Sequence, residues 1–491
     1  MSKKVYYIII SVIVLLSFRF FASFNYPLLN TDDAVTVLMI HYFKLPDHLY
    51  FWGQDRLGSI IPLLAQPFYK LFNFSLLASE AIIHYGILFL GFLSFASFFK
   101  SRFCKIMLAL IWFFPPTRMI DLTQYSFGIQ YSMIGMVCYL LSINEKEDIQ
   151  KNVWRHHALL FALMILIIVT IWVSDMTMIT VFVIGAVRLF FYFKTNKFLS
   201  VLKKPELYYT VAGIVIGYFF ISYAKSLAPE YSKQNYSLMA TFDQIMENLD
   251  GFASPIWRMA IFRKHEYEPL TGVYIYLALI FIITMIVYSR KAKFDILSKK
   301  NMLTFLLDGI LLYGVIIAAE WTFLNGSPKR YYVCTYISIS LVFLLILDNL
   351  EVKEKIKKYM NGLLLVTTLT AAVGSVYHLA AIQPKTLKPM VETYKEFEKL
   401  GEIGVIADYW HSYVISCTNP ELIKATSDDG WYPRNYDITL QAFERKNLYV
   451  IRDGLLETYP DTLEQFDRYF KKDGNEFEIA GCHVCKYKKL D

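Results

Sequence analysis

Two adjacent carboxylates, Asp32 and Asp33, follow the first apolar segment of this chain, in the stretch NTDDAVTVLMIHYF. A carboxylate held at the edge of an apolar layer can accept a proton from an attacking hydroxyl, which is general-base chemistry. The same stretch also fits a helix start, because Asn30 or Thr31 can cap it and acids in the first turn favour the helix dipole. The two interpretations are compatible, since a cap also fixes the acidic side chains in place.

Cations that could bind a phosphate lie beside several apolar segments. Lys329 and Arg330 directly precede a late apolar run, at the depth where a lipid phosphate headgroup would lie. Arg19 lies inside the first apolar run, where a charge is costly and usually has a partner or a function. Arg56 and Arg118 are further candidates for the same role. A Lys-Arg pair at a span end can also be a plain interfacial anchor.

The composition places these residues in a membrane protein. Of 491 residues, 56% are hydrophobic and 17% aromatic, and only 19% are charged, whereas soluble proteins carry about 25% charged residues. The net charge of +7 therefore indicates basic loops beside a membrane, and no nucleic-acid partner is expected. We expect the first apolar run to be an uncleaved span, because no small-residue cleavage site follows it.

Apolar runs of about the length that crosses a bilayer recur along the chain. The eleven candidates lie near 5–23, 76–99, 104–116 (a short one), 127–143, 157–173, 176–193, 208–224, 270–289, 302–319, 331–348 and 360–380. With the N-terminus in the cytoplasm, basic residues collect in the cytoplasmic loops, as the positive-inside rule requires. We therefore predict a polytopic α-helical membrane domain over 1–380 and a small extracytoplasmic α/β domain over 381–491.

The segments outside the spans have patterns of their own. We predict amphipathic helices at the membrane surface in DDAVTVLMIHYF, in FWGQDRLGSIIPLLAQPFYKLF and in the later loop 225–269. In the tail, we predict helices over 390–401, 437–446 and 462–472, and strands over 402–407, 447–453 and 477–487. We also expect one disulfide among Cys417, Cys482 and Cys485, because the tail is predicted to lie in an oxidising compartment.

The order of these motifs resembles the GT-C superfamily of integral membrane glycosyltransferases. The resemblance rests on the acidic pair after the first span, on WGQ at 52–54, on PPTRMIDLTQYSFGIQYSMIGMVCYLL at 115–141 and on NGSPKRYYVCTYISISLVF at 325–343. It is similar in particular to bacterial members related to protein O-mannosyltransferases and to the aminoarabinose lipid A transferase. The chain departs from that pattern where RYYVCTY lacks a proline and where QYSFG replaces a more Gly-rich stretch.

This resemblance implies an enzyme that moves a sugar from a polyprenyl-phosphate donor to an acceptor hydroxyl, with inversion, on the outer face of a bacterial cytoplasmic membrane. Asp32 or Asp33 would be the base, with Asp32 slightly favoured. The donor phosphate would be bound by Lys329, Arg330, Arg19, Arg56 and Arg118. The acceptor could be a lipid, a glycan or a protein, and membrane lipids would surround the spans.

Further candidates would bind substrate. They are Trp52, Gln54, Asp55, Asp175, Tyr331, Asp408, Tyr409 and Trp410. Trp52 could stack on a sugar or be only an interfacial aromatic, and Asp55 could be a second acid, a metal ligand or a turn carboxylate. The stretch ADYW at 407–410 could recognise the acceptor or simply pack as a strand-to-helix turn. No metal ligands are assigned, and a divalent cation is left open.

Two other classes of membrane protein compete with this interpretation. A transporter or lipid flippase would also have many spans and buried charges, but it should show inverted repeats, which the sequence lacks. A polymerase or ligase of the O-antigen type should concentrate basic residues in one late outer loop, and the loop 225–269 shows no clear motif of that kind.

Overall fold

The computed structural model of the protein describes residues 2–25, 29–124, 126–229, 238–263, 269–382, 390–430 and 433–490. Its α-helices are α1 (Lys3–Phe21), α2 (Thr31–Tyr42), α3 (Ile60–Phe72), α4 (Leu76–Ala96), α5 (Arg102–Phe113), α6 (Ser126–Asn144), α7 (Glu147–Lys151), α8 (Val153–Val173), α9 (Thr177–Phe193), α10 (Pro205–Ser226), α11 (Phe242–Ala260), α12 (Pro269–Tyr288), α13 (Ile296–Ala318), α14 (Glu320–Leu324), α15 (Val333–Asp348), α16 (Glu354–Ile382), α17 (Met390–Tyr394), α18 (Tyr409–Ser416) and α19 (Tyr436–Phe443). The strands are β1 (Ile403–Ala407), β2 (Ile423–Ser427), β3 (Asn447–Ile451), β4 (Thr462–Gln465), β5 (Arg468–Lys472), β6 (Phe477–Ile479) and β7 (Cys482–Lys489).

Nine helices within the described ranges are long and apolar enough to cross a membrane, so the predicted class of multi-span membrane protein is confirmed. These nine candidates are fewer than the eleven spans predicted. The run at 104–116 forms α5, a helix of 12 residues, which is about 18 Å long against a hydrocarbon core of about 30 Å. Pro115 and Pro116 follow it and prevent its extension. The run at 176–193 forms α9, which has 17 residues.

The chain packs as two compact units. Unit 1 comprises Met1–Phe21, Tyr85–Ser222 and Asn235–Ala381, and unit 2 comprises Ala22–His84, Tyr223–Gln234 and Ile382–Asp491. The segment that carries the acidic pair therefore belongs to the same compact unit as the C-terminal α/β part. The predicted domain boundary at residue 381 stays a prediction, because packing alone does not show which part folds independently.

A buried carboxylate in the core of unit 1 joins four of its helices. Asp308 on α13 accepts hydrogen bonds from Tyr131 on α6 at 2.7 Å, from Thr180 on α9 at 2.6 Å and from Ser338 on α15 at 2.5 Å. A charge in a membrane core is tolerated when it is satisfied in this way. The network fixes how these four helices pack against one another.

The sheet of unit 2 is mixed. Its order is β2-β1-β3-β7-β5-β4, with β6 paired to β7. The first three strands are parallel and are connected by the short helices α18 and α19, whereas β7, β5 and β4 pair antiparallel. Side chains from β1, β3, β5 and β7 form the core of this domain. This confirms the predicted small α/β domain.

One predicted helix of the tail, over 462–472, is wrong, because this segment forms the hairpin β4–β5. Leu463 and Phe470 are cross-strand partners and both face the core. The turn between them has positive φ at Phe466 (52°) and at Asp467 (59°), as a two-residue type I′ turn requires. The spacing of Leu463, Phe466 and Phe470 fits a helix face equally well, which is why the sequence pattern misled.

Two further expectations about this unit are corrected. The helix α2 is not a surface helix, because every residue from Thr31 to Ile40 is buried. It packs against α18, where the Thr31 hydroxyl donates to the Trp410 carbonyl at 3.3 Å. All six cysteines of the sequence are free in the structure, so the expected disulfide is absent.

Candidate functional site

The acidic pair lies in the first turn of α2 and its two members face different surroundings. The Asn30 side chain caps this helix by accepting a hydrogen bond from the Asp32 backbone N–H at 3.0 Å. Consecutive helical residues point about 100° apart, since a turn holds 3.6 residues. Asp32 and Asp33 are both buried, at 8% and 3% exposure, and each therefore needs its own polar partners.

Asp32 is held by two residues of the C-terminal α/β part. The Tyr409 hydroxyl donates to Asp32 Oδ1 at 2.7 Å, and Arg434 Nη2 lies 3.3 Å from the same oxygen. Arg434 also donates to the Tyr409 hydroxyl from Nε at 3.0 Å and from Nη2 at 2.6 Å. Burial, with Asp32 adding to it, raises the pKa of Tyr409 well above its usual value. Tyr409 therefore stays protonated and donates a hydrogen bond to the carboxylate.

The WGQ stretch at 52–54 forms a wall against Arg434. Gly53 has a φ of +67°, a backbone conformation that other residues rarely adopt, and a Cβ placed there would make a tight contact of 3.2 Å with Arg434 Cδ. The guanidinium carbon of Arg434 lies 5.6 Å from the centre of the Phe51 ring and 5.1 Å from that of Tyr409, in cation–π geometry. Trp52, Gly53, Gln54 and Arg434 are among the residues that line a cavity of about 290 Å³. We call it the Trp52 cavity.

Asp33 lies in a second group, with Glu80 and His84 from the first two turns of α4. Glu80 and His84 are 0% and 2% exposed, and His84 Nδ1 lies 3.2 Å from Glu80 Oε1. The hydroxyl of Ser23 donates to the other oxygen of Glu80. One potential ligand atom from each of Asp33, Glu80 and His84 lies within 4.8 Å of the other two. Two carboxylates and an imidazole can hold a divalent cation, so a metal site is sterically available here.

A cluster of cations lies in unit 1, around Lys329. The ammonium group of Lys329 donates to the Gly251 carbonyl and lies 5.7 Å from the centre of the Phe252 ring. The charges of Arg118 and Arg258 both act on this ammonium group. We call Arg118, Arg258 and Lys329 the cation cluster. Like charges gathered in one place are unfavourable unless an anion offsets them.

The structure brings together only some of the predicted phosphate-binding residues. Arg118 and Lys329 meet in the cation cluster, whereas Arg19 is exposed on the last turn of α1. Arg330 follows Lys329 directly and its guanidinium carbon lies 5.6 Å from the centre of the Tyr331 ring. Arg56 is half-buried in unit 2.

The predicted substrate-binding residues are likewise divided. Trp52 and Gln54 line the Trp52 cavity, and Tyr409 contacts Asp32. Asp408 caps α18 through the His411 backbone N–H, and this hydrogen-bonded carboxylate raises the pKa of His411. Trp410 is 55% exposed, and Tyr331 is buried against Trp321. Asp55 is half-buried in unit 2, and Asp175 is half-buried in unit 1.

Three features of the site were not predicted. Arg434 occurs in the stretch DDGWYPRNYD, where a single cation among acids and aromatics was the only signal. Arg258 lies in the last turn of α11, in the loop where no motif was recognised. Glu80 and His84 are plausible cavity liners from the sequence, but their grouping with Asp33 was not predicted; their spacing of one helical turn in an apolar run was the available indication of a joint role.

Comparison with known proteins rests on the fold, because no family model and no curated protein sequence matches this chain. The structure of ArnT from Cupriavidus metallidurans bound to undecaprenyl phosphate matches 99% of this chain and 98% of its own, with 9% identity and a TM-score of 0.58. The structure of ArnT in the apo state matches 98% of each chain, with 8% identity and a TM-score of 0.59.

The protein has an ArnT-like fold. ArnT, the aminoarabinose lipid A transferase, is a member of the GT-C superfamily, so the predicted resemblance is confirmed for the fold. The archaeal oligosaccharyltransferase AglB from Archaeoglobus fulgidus, in complex with an inhibitory peptide and a dolichol-phosphate, matches 91% of this chain and 69% of its own. Its identity is 10% and its TM-score is 0.44.

Proposed function

We propose that this protein is a membrane glycosyltransferase that moves a sugar from a polyprenyl-phosphate donor to an acceptor hydroxyl. The observation that carries the proposal is Asp32, a buried carboxylate oriented by Tyr409 and Arg434 beside a cavity. The ArnT-like fold supports it, since the ArnT structure holds undecaprenyl phosphate. The reaction would take place on the outer face of a bacterial cytoplasmic membrane, with the N-terminus inside and the α/β domain outside.

Asp32 serves as the general base in this proposal. The acceptor hydroxyl gives its proton to Asp32 while its oxygen forms a bond to the anomeric carbon of the sugar. The bond between that carbon and the phosphate oxygen breaks, and the lipid phosphate leaves with the electron pair. One displacement by one base inverts the configuration at the anomeric carbon. Tyr409 and Arg434 orient the carboxylate before the reaction, which lowers the entropic part of the barrier.

The cation cluster binds the lipid phosphate in this proposal. A phosphate that leaves as an anion is stabilised by charge-assisted hydrogen bonds from Lys and Arg. The three cations of the cluster provide that stabilisation. Arg330 follows Lys329 in the chain and extends this basic segment.

The Asp33, Glu80 and His84 side chains hold a divalent cation in this proposal. The 3.2 Å between His84 Nδ1 and Glu80 Oε1 fits a tetrahedral site, because ligands about 2.0–2.1 Å from a metal lie about 3.3 Å apart. Three protein ligands leave one position open, as catalytic rather than structural sites do. This assignment separates the roles of the two acids, with Asp33 on the metal and Asp32 as the base.

Transfer of a labelled sugar from a panel of polyprenyl-phosphate donors tests the reaction. We expect the purified wild type to transfer the sugar. Asp32→Asn should transfer it about 100-fold or more slowly, as removal of a general base does. Asp473→Asn changes an exposed carboxylate of the same unit and should remain active. A wild type that consumes none of the donors would refute the proposed function. Full activity of Asp32→Asn would remove Asp32 as the base.

Metal analysis of the same preparations tests the cation. The wild type should carry about one equivalent of a transition metal, Glu80→Gln should lose it, and His483→Gln should keep it. His483 is the matched control because it also pairs with a carboxylate, at 2.9 Å from Asp453, away from α4. A metal-free wild type after purification without chelators would show that Glu80 and His84 form only an ion pair.

A further inference from the structure

An apolar groove lies among three helices of unit 1. It is formed by the end of α12 with the residues that follow, by the first half of α13 and by the second half of α15. Its volume is about 470 Å³, which is within the range of about 300–1,000 Å³ that ligand sites have. Eight of its ten lining residues are apolar, and the other two are Ser289 and Arg290. We call it the Arg290 groove.

The groove faces the part of the protein surface that lipid covers. Only 17% of the membrane-spanning stretch that ends at Lys291 is buried within the protein, against 61% of the stretch that ends at Asp348. Ile286, which lines the groove on α12, is 60% exposed. Because an apolar groove of this kind does not hold water well, a hydrocarbon chain of the surrounding membrane is the occupant that matches its lining.

A cation stands at one end of this apolar lining. Arg290 is exposed and follows the last turn of α12. Two neighbouring lysines are occupied, since Lys291 lies 5.3 Å from the centre of the Tyr288 ring and Lys293 pairs with Glu351 at 2.6 Å. Within the described ranges, the Arg290 guanidinium has no ion pair. Its planar fork of N–H donors matches the oxygens of a phosphate group.

The whole loop around Arg290 is basic. The stretch Ser289–Lys300 contains five basic residues and one acid, Asp295. The positive-inside rule therefore predicts that this end of α12 and α13 lies in the cytoplasm. Basic pockets between spans on that side of a membrane bind the headgroups of anionic lipids. An apolar groove that ends at an exposed arginine combines both parts of such a site.

The groove is separate from the cation cluster. Lys329 precedes the first residue of α15, Val333, whereas the groove extends to Ile346 near the other end of that helix. At 1.5 Å per residue, about 20 Å along the helix axis separate Val333 from Ile346. A phosphate on Arg290 is therefore a different phosphate from one bound at Lys329.

We propose that the Arg290 groove binds one anionic phospholipid of the cytoplasmic leaflet. One acyl chain lies in the groove against α13 and α15, and the phosphate of the headgroup binds Arg290. The tail of a polyprenyl-phosphate donor could fill the apolar part, but it has no charge for the arginine at this end. The proposal does not depend on the transferase function, because it concerns a different part of unit 1.

Photoaffinity labelling of the full chain in phosphatidylcholine nanodiscs tests the site. The probes are phosphatidylglycerol and phosphatidylcholine, each with a diazirine in one acyl chain, and peptide mass spectrometry locates the label. We expect the phosphatidylglycerol probe to label the segments 294–306 and 339–346 about 5-fold more than the phosphatidylcholine probe does. This is the attraction that one basic residue adds for an anionic lipid.

Two arginine variants test the headgroup contact. Arg290→Gln should lower the labelling by phosphatidylglycerol about 5-fold, to the level of phosphatidylcholine. Arg155→Gln is the matched control, because Arg155 is also exposed at a predicted cytoplasmic helix end but does not line the groove. It should be labelled as the wild type is. Both variants change exposed side chains, and an unchanged Tm checks that they are folded.

Three results would overturn the proposal. Equal labelling of the groove by the two probes, or equal labelling of Arg290→Gln and the wild type by phosphatidylglycerol, would show that the headgroup is not recognised. Label spread evenly over the groove and over α10, whose span is only 11% buried, would show an ordinary lipid-facing surface. Displacement of the label by unlabelled undecaprenyl phosphate, but not by unlabelled phosphatidylglycerol, would assign the groove to the tail of a polyprenyl lipid.

Discussion

Removal of one hydroxyl, in Tyr409→Phe, tests how Asp32 is oriented. Phenylalanine keeps the ring, which packs edge-on against Trp410 at 5.3 Å and against Tyr413 at 5.7 Å between ring centres. The variant loses the 2.7 Å hydrogen bond to Asp32 and the acceptor for two donors of Arg434. Among the described residues, the side chain of Asp32 then keeps its 3.3 Å contact with Arg434 and loses the other. The carboxylate should therefore sample other rotamers before the reaction.

The size of the effect follows from that lost hydrogen bond. A hydrogen bond to a charged group contributes about 1.5–3 kcal/mol, so kcat should fall about 10- to 150-fold if the bond serves orientation in the reacting complex. The KM for the donor should stay within about 3-fold, because Tyr409 is not assigned to donor binding. Steady-state sugar transfer by the purified full chain measures both constants.

The matched control is Tyr487→Phe. Tyr487 is a fully buried tyrosine of the same α/β domain, and its hydroxyl donates to the Pro460 carbonyl at 2.5 Å. Both variants should lower the free energy of unfolding by about 1–3 kcal/mol, but only Tyr409→Phe should lose kcat. A Tyr409→Phe enzyme with wild-type kcat, beside an inactive Asp32→Asn enzyme, would refute the orienting role of Tyr409. Equal loss of kcat in both tyrosine variants would assign the effect to stability.

Two further predictions concern other charged groups of the site. Lys329→Gln should raise the KM for the polyprenyl-phosphate donor about 10-fold through the loss of one charge-assisted hydrogen bond. The control Lys355→Gln, at an exposed lysine, should leave that KM unchanged. Unchanged donor kinetics in both variants would remove Lys329 from donor binding. The hydrogen bond to Asp408 raises the pKa of His411, so its stabilising effect is complete below the unfolded pKa near 6.5 and is lost as the pH rises through the folded pKa. The difference in apparent Tm between wild type and His411→Gln should therefore be larger at pH 6 than at pH 9. The extra stabilisation at pH 6 should be about 1 kcal/mol of unfolding free energy. An equal difference in Tm at both pH values would contradict this assignment.

Much of the membrane part could be predicted from the sequence, because span length and apolar content are local properties. The expected runs became helices, and the two that are not among the nine candidate spans are 12 and 17 residues long. The segment 462–472 shows where local pattern fails. Its apolar residues fit a helix face, but Leu463 and Phe470 pair across a hairpin whose partner strand β7 lies farther along the chain. Tertiary packing decided between the periodicity of a helix and that of a strand in this segment.

The candidate site likewise has features that the sequence predicts and features that only tertiary packing decides. The sequence by itself determined the acidic pair, its capped helix start and the WGQ stretch, because residue type and spacing within a few positions carry that information. Only the tertiary structure decided that Asp32 pairs with Arg434, which is 402 positions away, and that Asp33 lies with Glu80 and His84 instead. Adjacent residues on a helix face different directions, and which partner each meets depends on packing between segments that are far apart in the chain.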